Sequence, residues 1–229
     1  MGHIYSHQHR CAIYDAPKAG GTTLRTWLIM CLTSSDPNKN LLAGNYIKGD
    51  HEFRKIVDEI GYKHSYFVNY PSAIHKACII REPIRRFKSC FVDKLIREDR
   101  WKHIRQMKAC DDVPGFINFL ESYQFKFKNN IKRILPYNND LQRSYIFYHF
   151  CPQVRHFGYD PQYFTNYFFT DEMSSKLKPF LETTFDATLE NIHTRKSSLQ
   201  NFLWISDNAI CKLKKMYSDD YKFIKSLTR

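Results

Sequence analysis

The sequence predicts an α/β fold in which a central, mostly parallel sheet is flanked by helices in three layers. Three observations predict it. Two short apolar runs bounded by turn residues, 11–16 and 77–80, read as buried strands. Each is followed by a loop and then by apolar residues at helical spacing: Leu24, Trp27, Leu28 and Cys31 after the first, Ile84, Phe87, Phe91 and Leu95 after the second. The length of 229 residues suits one well-buried domain and is short for two, so a single domain over 1–229 is expected.

Between the first strand and its helix lies Pro17-Lys18-Ala19-Gly20-Gly21-Thr22-Thr23, ahead of Leu24. Glycines let backbone amides approach a ligand, and a helix N-terminus offers N–H groups and a positive dipole. Thr22 and Thr23 add hydroxyl donors, and Lys18 adds a mobile charge. A loop of donors is built to hold an anion. It does not fit the nucleoside-triphosphate loop, which needs its lysine after the glycines and directly before Ser or Thr. An ordinary glycine turn is the plain alternative.

The rest of the chain follows in order. Residues 33–45 read as a polar surface loop, and 45–48 as a short second strand. Asp50, His51 and Glu52 then open a helix whose apolar positions are Phe53, Ile56, Val57 and Ile60, ending at Gly61. Those three residues stand where an α/β sheet gathers its ligands, yet they also fit an N-cap and a first-turn acid; both readings stand. After the strand at 77–80, Arg81 lies on the loop and Pro83 at the first helical turn. Arg86 and Ser89, three apart, share a helix face. An arginine fork with a hydroxyl suits a phosphate; a solvated basic face is the bland alternative.

Beyond it, 97–110 reads as a basic exposed helix, and Pro114 opens another with Phe116, Leu120 and Tyr123 on one face. The basic run 126–133 reads as solvated surface, with the lining of an acceptor groove as the alternative. His149 sits in an aromatic stretch, either packed in the core or near a site. Residues 167–170 read as a last strand, followed by a helix carrying Leu177, Phe180 and Leu181. A polar loop at 194–198 precedes a final helix with Ile210, Leu213, Tyr217 and Tyr221 on one face.

Composition narrows the partners. A formal charge of +12 implies an anionic one: nucleotide cofactor, acidic polysaccharide, nucleic acid or anionic membrane surface. No DNA or RNA motif supports the third. Seven cysteines without C-x-x-C or zinc-like spacing read mostly as buried free thiols in a reducing compartment. No run approaches ~18 apolar residues and no signal peptide precedes the first strand, so no membrane span and a cytoplasmic location are expected. His3, His7 and His9, near the chain start, read as solvated rather than metal-binding.

Pro-Lys-x-Gly-Gly-Thr-Thr-Leu resembles the 5′-phosphosulfate loop of sulfotransferases that use 3′-phosphoadenosine 5′-phosphosulfate (PAPS), most of all their carbohydrate (Golgi-type, family 2-like) branch. Arg81-Glu82-Pro83, then Arg86, then Ser89 is similar to that family's Arg-Asp-Pro…Arg…Ser segment for the 3′-phosphate, with Glu82 in place of Asp. His149-Phe150-Cys151-Pro152-Gln153 is similar to its His-aromatic-x-Pro-Gln segment. Tyr217-Ser-Asp-Asp-Tyr221 is similar to its Tyr-x-x-Asp-Tyr/Phe ending.

The resemblance implies a P-loop-like sheet and transfer of a sulfuryl group from PAPS to an acceptor hydroxyl, with PAP as product. Pro17, Lys18, Ala19, Gly20, Gly21, Thr22, Thr23 and Leu24 would hold the 5′-phosphosulfate, and Arg81 and Ser89 the 3′-phosphate. Lys18 would offset charge on the bridging oxygen as the S–O bond lengthens. His51, Glu52 and His149 are the candidates for general base, His51 foremost. No metal is expected, since no carboxylate cluster would bind one. The acceptor implied is a glycan or glycoconjugate. A catalytically silent PAP- or glycan-binding module on the same fold and a nucleotide kinase are the competing readings; Lys18 disfavours the first and its place before the glycines the second.

Overall fold

The computed structural model describes residues 2–33, 51–62, 67–97, 112–128, 148–192 and 203–227. The strand expected at 45–48, residue Asp50, most of the basic helix 97–110, the basic run beyond residue 128 and the loop 194–198 lie outside them. In chain order the main elements are β1 (Gly2–Ser6), β2 (Cys11–Asp15), α1 (Gly21–Leu32), α2 (His51–Glu59), β3 (His75–Ile80), α3 (Pro83–Phe91), α4 (Val113–Lys128), α5 (Val154–Phe157), β4 (Asn166–Phe169), α6 (Lys178–Phe185), α7 (Asp207–Met216) and α8 (Ser218–Leu227). Among the described residues no helix is long and apolar enough to cross a membrane. The chain divides into two compact units, 1–81 with 153–196 and 82–152 with 197–229.

The first unit holds the sheet, ordered β1-β2-β3-β4. β2–β3 and β3–β4 are parallel and β1–β2 is antiparallel, so the sheet is mostly parallel as expected. Every residue of β2 is buried, as are Ala77 to Ile80 of β3, which is what strands covered on both faces require. Side chains alternate across the sheet. Tyr14 meets Tyr163 and Phe164 edge-on, while its neighbour Asp15 receives the Tyr62 hydroxyl on the other face. Helices α1 and α6 pack together, as do α1 and α2, and α5 lies against β2. The α2 end fits its sequence: Ile56 and Val57 are buried, and Gly61 has φ of +79°.

The strand β1 has no counterpart in the sequence reading, and it corrects one histidine. His3 pairs in register with Tyr14, is buried and lies against the rings of Tyr14 and Tyr70; His7 is exposed as expected. A five-residue edge strand with one apolar side chain at its centre leaves little periodic signal. Most described cysteines are buried free thiols as expected, namely Cys11, Cys31, Cys78, Cys90 and Cys151, while Cys211 is exposed; burial pushes Cys11 up to about 12.

The second unit is helical where described. Its core is Phe87, Cys90, Phe91 and Leu95 from α3 and the turn after it, Phe116, Ile117 and Leu120 from α4, Phe150, and Leu213, Met216 and Tyr217 from the C-terminal segment. Pro83 occupies the first turn of α3, and Glu82 caps it, its carboxylate accepting from the amides of Ile84 and Arg85. The Tyr221 hydroxyl donates to the same carboxylate at 2.6 Å.

Arg86 corrects the sequence reading most. It is fully buried rather than presented to a ligand. Its guanidinium donates to the carbonyls of His149, at 3.0 Å, and Cys151, and it lies over the Tyr217 ring. The Tyr217 hydroxyl takes the intervening Phe150 carbonyl at 2.7 Å. Three consecutive carbonyls are thus satisfied by side chains from α3 and the α7–α8 junction, which a buried irregular segment needs. Arg86→Met should therefore lower stability by about 3 kcal/mol, the loss of two hydrogen bonds from a charged donor. Urea unfolding measures it; a loss under about 0.5 kcal/mol, the range of an ordinary surface change, would return Arg86 to a ligand-binding role.

Candidate functional site

The loop between β2 and α1 begins with a tight turn. The Ala19 amide donates to the Ala16 carbonyl at 3.0 Å, with Pro17 second and Lys18 third in the turn. Pro suits the second position of such a turn, and its third requires positive φ when the turn is of type II. Lys18 has φ of +65°, where glycine would be at ease and a lysine carries about 1 kcal/mol of strain.

Gly20 follows at φ +82° as the N-cap of α1. No side chain caps this helix and its first turn contains no acid. The first ladder bond runs from the Leu24 amide to the Gly20 carbonyl, so the amides of Gly21, Thr22 and Thr23 precede it. Helix α3, by contrast, has its first-turn amides taken by Glu82. The first turn of α1 thus differs from that of α3 in having no side-chain cap.

Both glycines are demanded by what lies behind them. A Cβ at Gly20 would overlap the thioether of Met173, and one at Gly21 would overlap the Asp15 carboxylate and crowd the Arg25 guanidinium. Pro17, Ala19, Gly21 and Thr23 are buried, Lys18 and Gly20 are half-buried, and Thr22 is exposed. Leu24 is fully buried, with its amide donating to the Gly20 carbonyl.

Arg81 follows β3, and its guanidinium donates to the Lys18 carbonyl at 2.8 Å. The two residues singled out for the two ends of the cofactor are thus joined in one unit. Ser89 and His149 belong to the second unit, both half-buried; the His149 carbonyl accepts from Arg86 and from the Cys90 thiol. His51 and Glu52 open α2 in the first unit, as their sequence position suggested.

Two features went unassigned in the sequence. Asp15, buried at the end of β2, accepts from the Gly2 amide at 2.7 Å and from the Tyr62 hydroxyl at 2.5 Å. Burial and then the Asp15 charge push the Tyr62 phenol well up, so it remains a donor there. A charged residue closing an apolar strand directly before the loop was the available signal. The other is Gln153, fully buried, whose amide accepts from the Arg81 N–H at 3.0 Å and donates to the Arg81 carbonyl at 2.7 Å.

The family model described as Sulfotransferase family matches residues 2–224. The chain therefore belongs to the Sulfotransferase family. No curated protein and no solved structure matches it significantly.

The packing behind the loop generates a test. Gly20→Ala should cost about 3 kcal/mol, from left-handed strain and overpacking together. Met173→Ala makes room for the added methyl, so the double variant should lose less than the sum of the two single losses in urea unfolding. Strict additivity would mean that Met173 does not shape the loop.

Proposed function

We propose that this sulfotransferase takes its sulfuryl group from PAPS and delivers it to a carbohydrate hydroxyl. The observation that carries the donor half is the uncapped N-terminus of α1, reached through a loop whose Lys18 carbonyl is held by Arg81. The donor set fits the group: amides, hydroxyls, a lysine and an arginine, all suited to phosphate and sulfate oxygens. Both units form one catalytic domain in this reading, supported by a single family match that runs through both.

PAPS supplies a sulfuryl group activated by its bond to phosphate, with PAP leaving. The loop amides and the Thr22 and Thr23 hydroxyls bind the 5′ end and orient it for in-line displacement, where positioning and charge stabilisation do most of the catalysis. Lys18 offsets the negative charge that grows on the leaving oxygen. Arg81 and Ser89 bind the 3′-phosphate, which distinguishes this donor from ATP. A general base removes the acceptor proton, with His51 first and Glu52 and His149 as alternatives. The carbohydrate acceptor rests on the likeness to that branch of the family and suits a chain of charge +12 where the glycan is acidic.

Thermal-shift titration with PAP, with AMP and ATP as controls, tests the donor. PAP should raise the melting temperature as it exceeds its dissociation constant, AMP should not, and Arg81→Ala should lose the shift. An equal shift with ATP, or none with PAP, would overturn the reading. With PAPS and a panel of sugars, tyrosyl peptides and simple alcohols, turnover should favour sugars. Lys18→Ala and Arg81→Ala should each reduce it by at least about 10²-fold while the fold persists. No turnover on any acceptor despite PAP binding would support a silent module instead.

A further inference from the structure

We infer that Gln153 is a positioning residue for the cofactor loop, acting through Arg81. The inference deepens the PAPS reading above and rests on it for the identity of the ligand. Its ground is a continuous set of bonds within one unit. The Gln153 carboxamide grips both backbone groups of Arg81, accepting from its N–H at 3.0 Å and donating to its carbonyl at 2.7 Å. Arg81 is the first residue after β3, one position past the last register pair, Ile80 with Phe169. The Arg81 guanidinium then reaches the carbonyl of Lys18 at 2.8 Å, the residue held at positive φ.

A side-chain amide is suited to this task because it pairs with one donor and one acceptor at once, as a second strand would. Gln153 thereby continues the backbone pairing one residue past the sheet. Gln153 is fully buried, and removing its carboxamide takes away both of these bonds at the point where Arg81 turns toward the loop. No other aliphatic or charged side chain of that length supplies both a donor and an acceptor. Glu brings a charge and no donor when ionised, and Met brings neither.

The test uses the full chain with Gln153→Met and, as a milder second variant, Gln153→Asn, which keeps the amide but shortens its reach. Amide hydrogen exchange on the ligand-free protein comes first. Exchange should quicken at Arg81 and through the loop 16–24 and stay unchanged in β1 and β2. KM for PAPS and the PAP dissociation constant should rise about tenfold, the effect of one lost hydrogen bond, with KM for the acceptor unchanged. Arg81→Met combined with Gln153→Met should bind PAP no worse than Arg81→Met alone, since Gln153 works only through Arg81.

Unchanged loop exchange in both variants, or a melting temperature that falls with the PAPS KM untouched, would overturn the inference and leave Gln153 a packing residue. Faster loop exchange in a chain that does not bind PAP would uphold the positioning role and refute the donor. The exchange and binding measurements therefore separate the two failures.

Discussion

The parallel pairing of β2 with β3 is the constraint on which the first unit depends. Parallel strands in register release their chains at the same edge, and an α/β sheet gathers ligands outside its carboxyl ends. Here Asp15 lies opposite Ile79, so the loop beginning at Ala16 and the residue Arg81 emerge nearly level. That is why an arginine about sixty residues from Lys18 can hold its carbonyl. β4 extends the same edge. The Thr170 amide bonds the Ile80 carbonyl at 2.9 Å, and the turn after it carries Met173 to the back of Gly20. Three parallel strands thus contribute the loop, its brace and its backing. A slip of one residue between β2 and β3 would turn the side chains of one strand to the wrong face.

The two helices that follow β2 and β3 begin in opposite ways, and the difference separates ligand binding from structure. At α3 the Glu82 carboxylate satisfies two first-turn amides and receives the Tyr221 hydroxyl. Glu82 is thus a helix cap whose carboxylate is occupied by these partners. At α1 the cap is a left-handed glycine with no side chain. The Asp15 carboxylate accepts from the Gly2 amide and the Tyr62 hydroxyl through Oδ1, while its Oδ2 lies against Gly21.

What the sequence disclosed depended on whether the signal was local. The buried strands at 11–16 and 77–80, the α1 stripe of Leu24, Trp27, Leu28 and Cys31, and Pro83 at the first turn of α3 are short-range patterns, and the structure contains each. The loop lysine and its glycines were legible too, because glycines at a strand–helix junction imply close backbone approach. The roles of His3, Gln153 and Arg86 were not. Each is fixed by a partner distant in sequence: Tyr14 and Tyr70 for His3, Arg81 for Gln153, and the carbonyls of residues 149–151 for Arg86. Side-chain to backbone pairing of this kind leaves no periodicity.

Arg81 and Arg86, five positions apart, show why basic residue type alone could not assign a phosphate site. Both guanidinium groups donate to backbone carbonyls, yet with different consequences. Arg86 is one turn into a helix whose inner face meets a bundle of aromatic rings, and an arginine there is tolerated only because an irregular strand of chain brings carbonyls to it. Removing those carbonyls would make the charge untenable, so Arg86 and the segment 149–151 depend on each other. Arg81 is half-buried at a sheet edge, where a charged group retains solvent. Its carbonyl bond joins it to the loop between β2 and α1 rather than to the core. The fork geometry that suits phosphate also suits a carbonyl; the site is decided by which backbone groups lack partners, and that is a property of the fold.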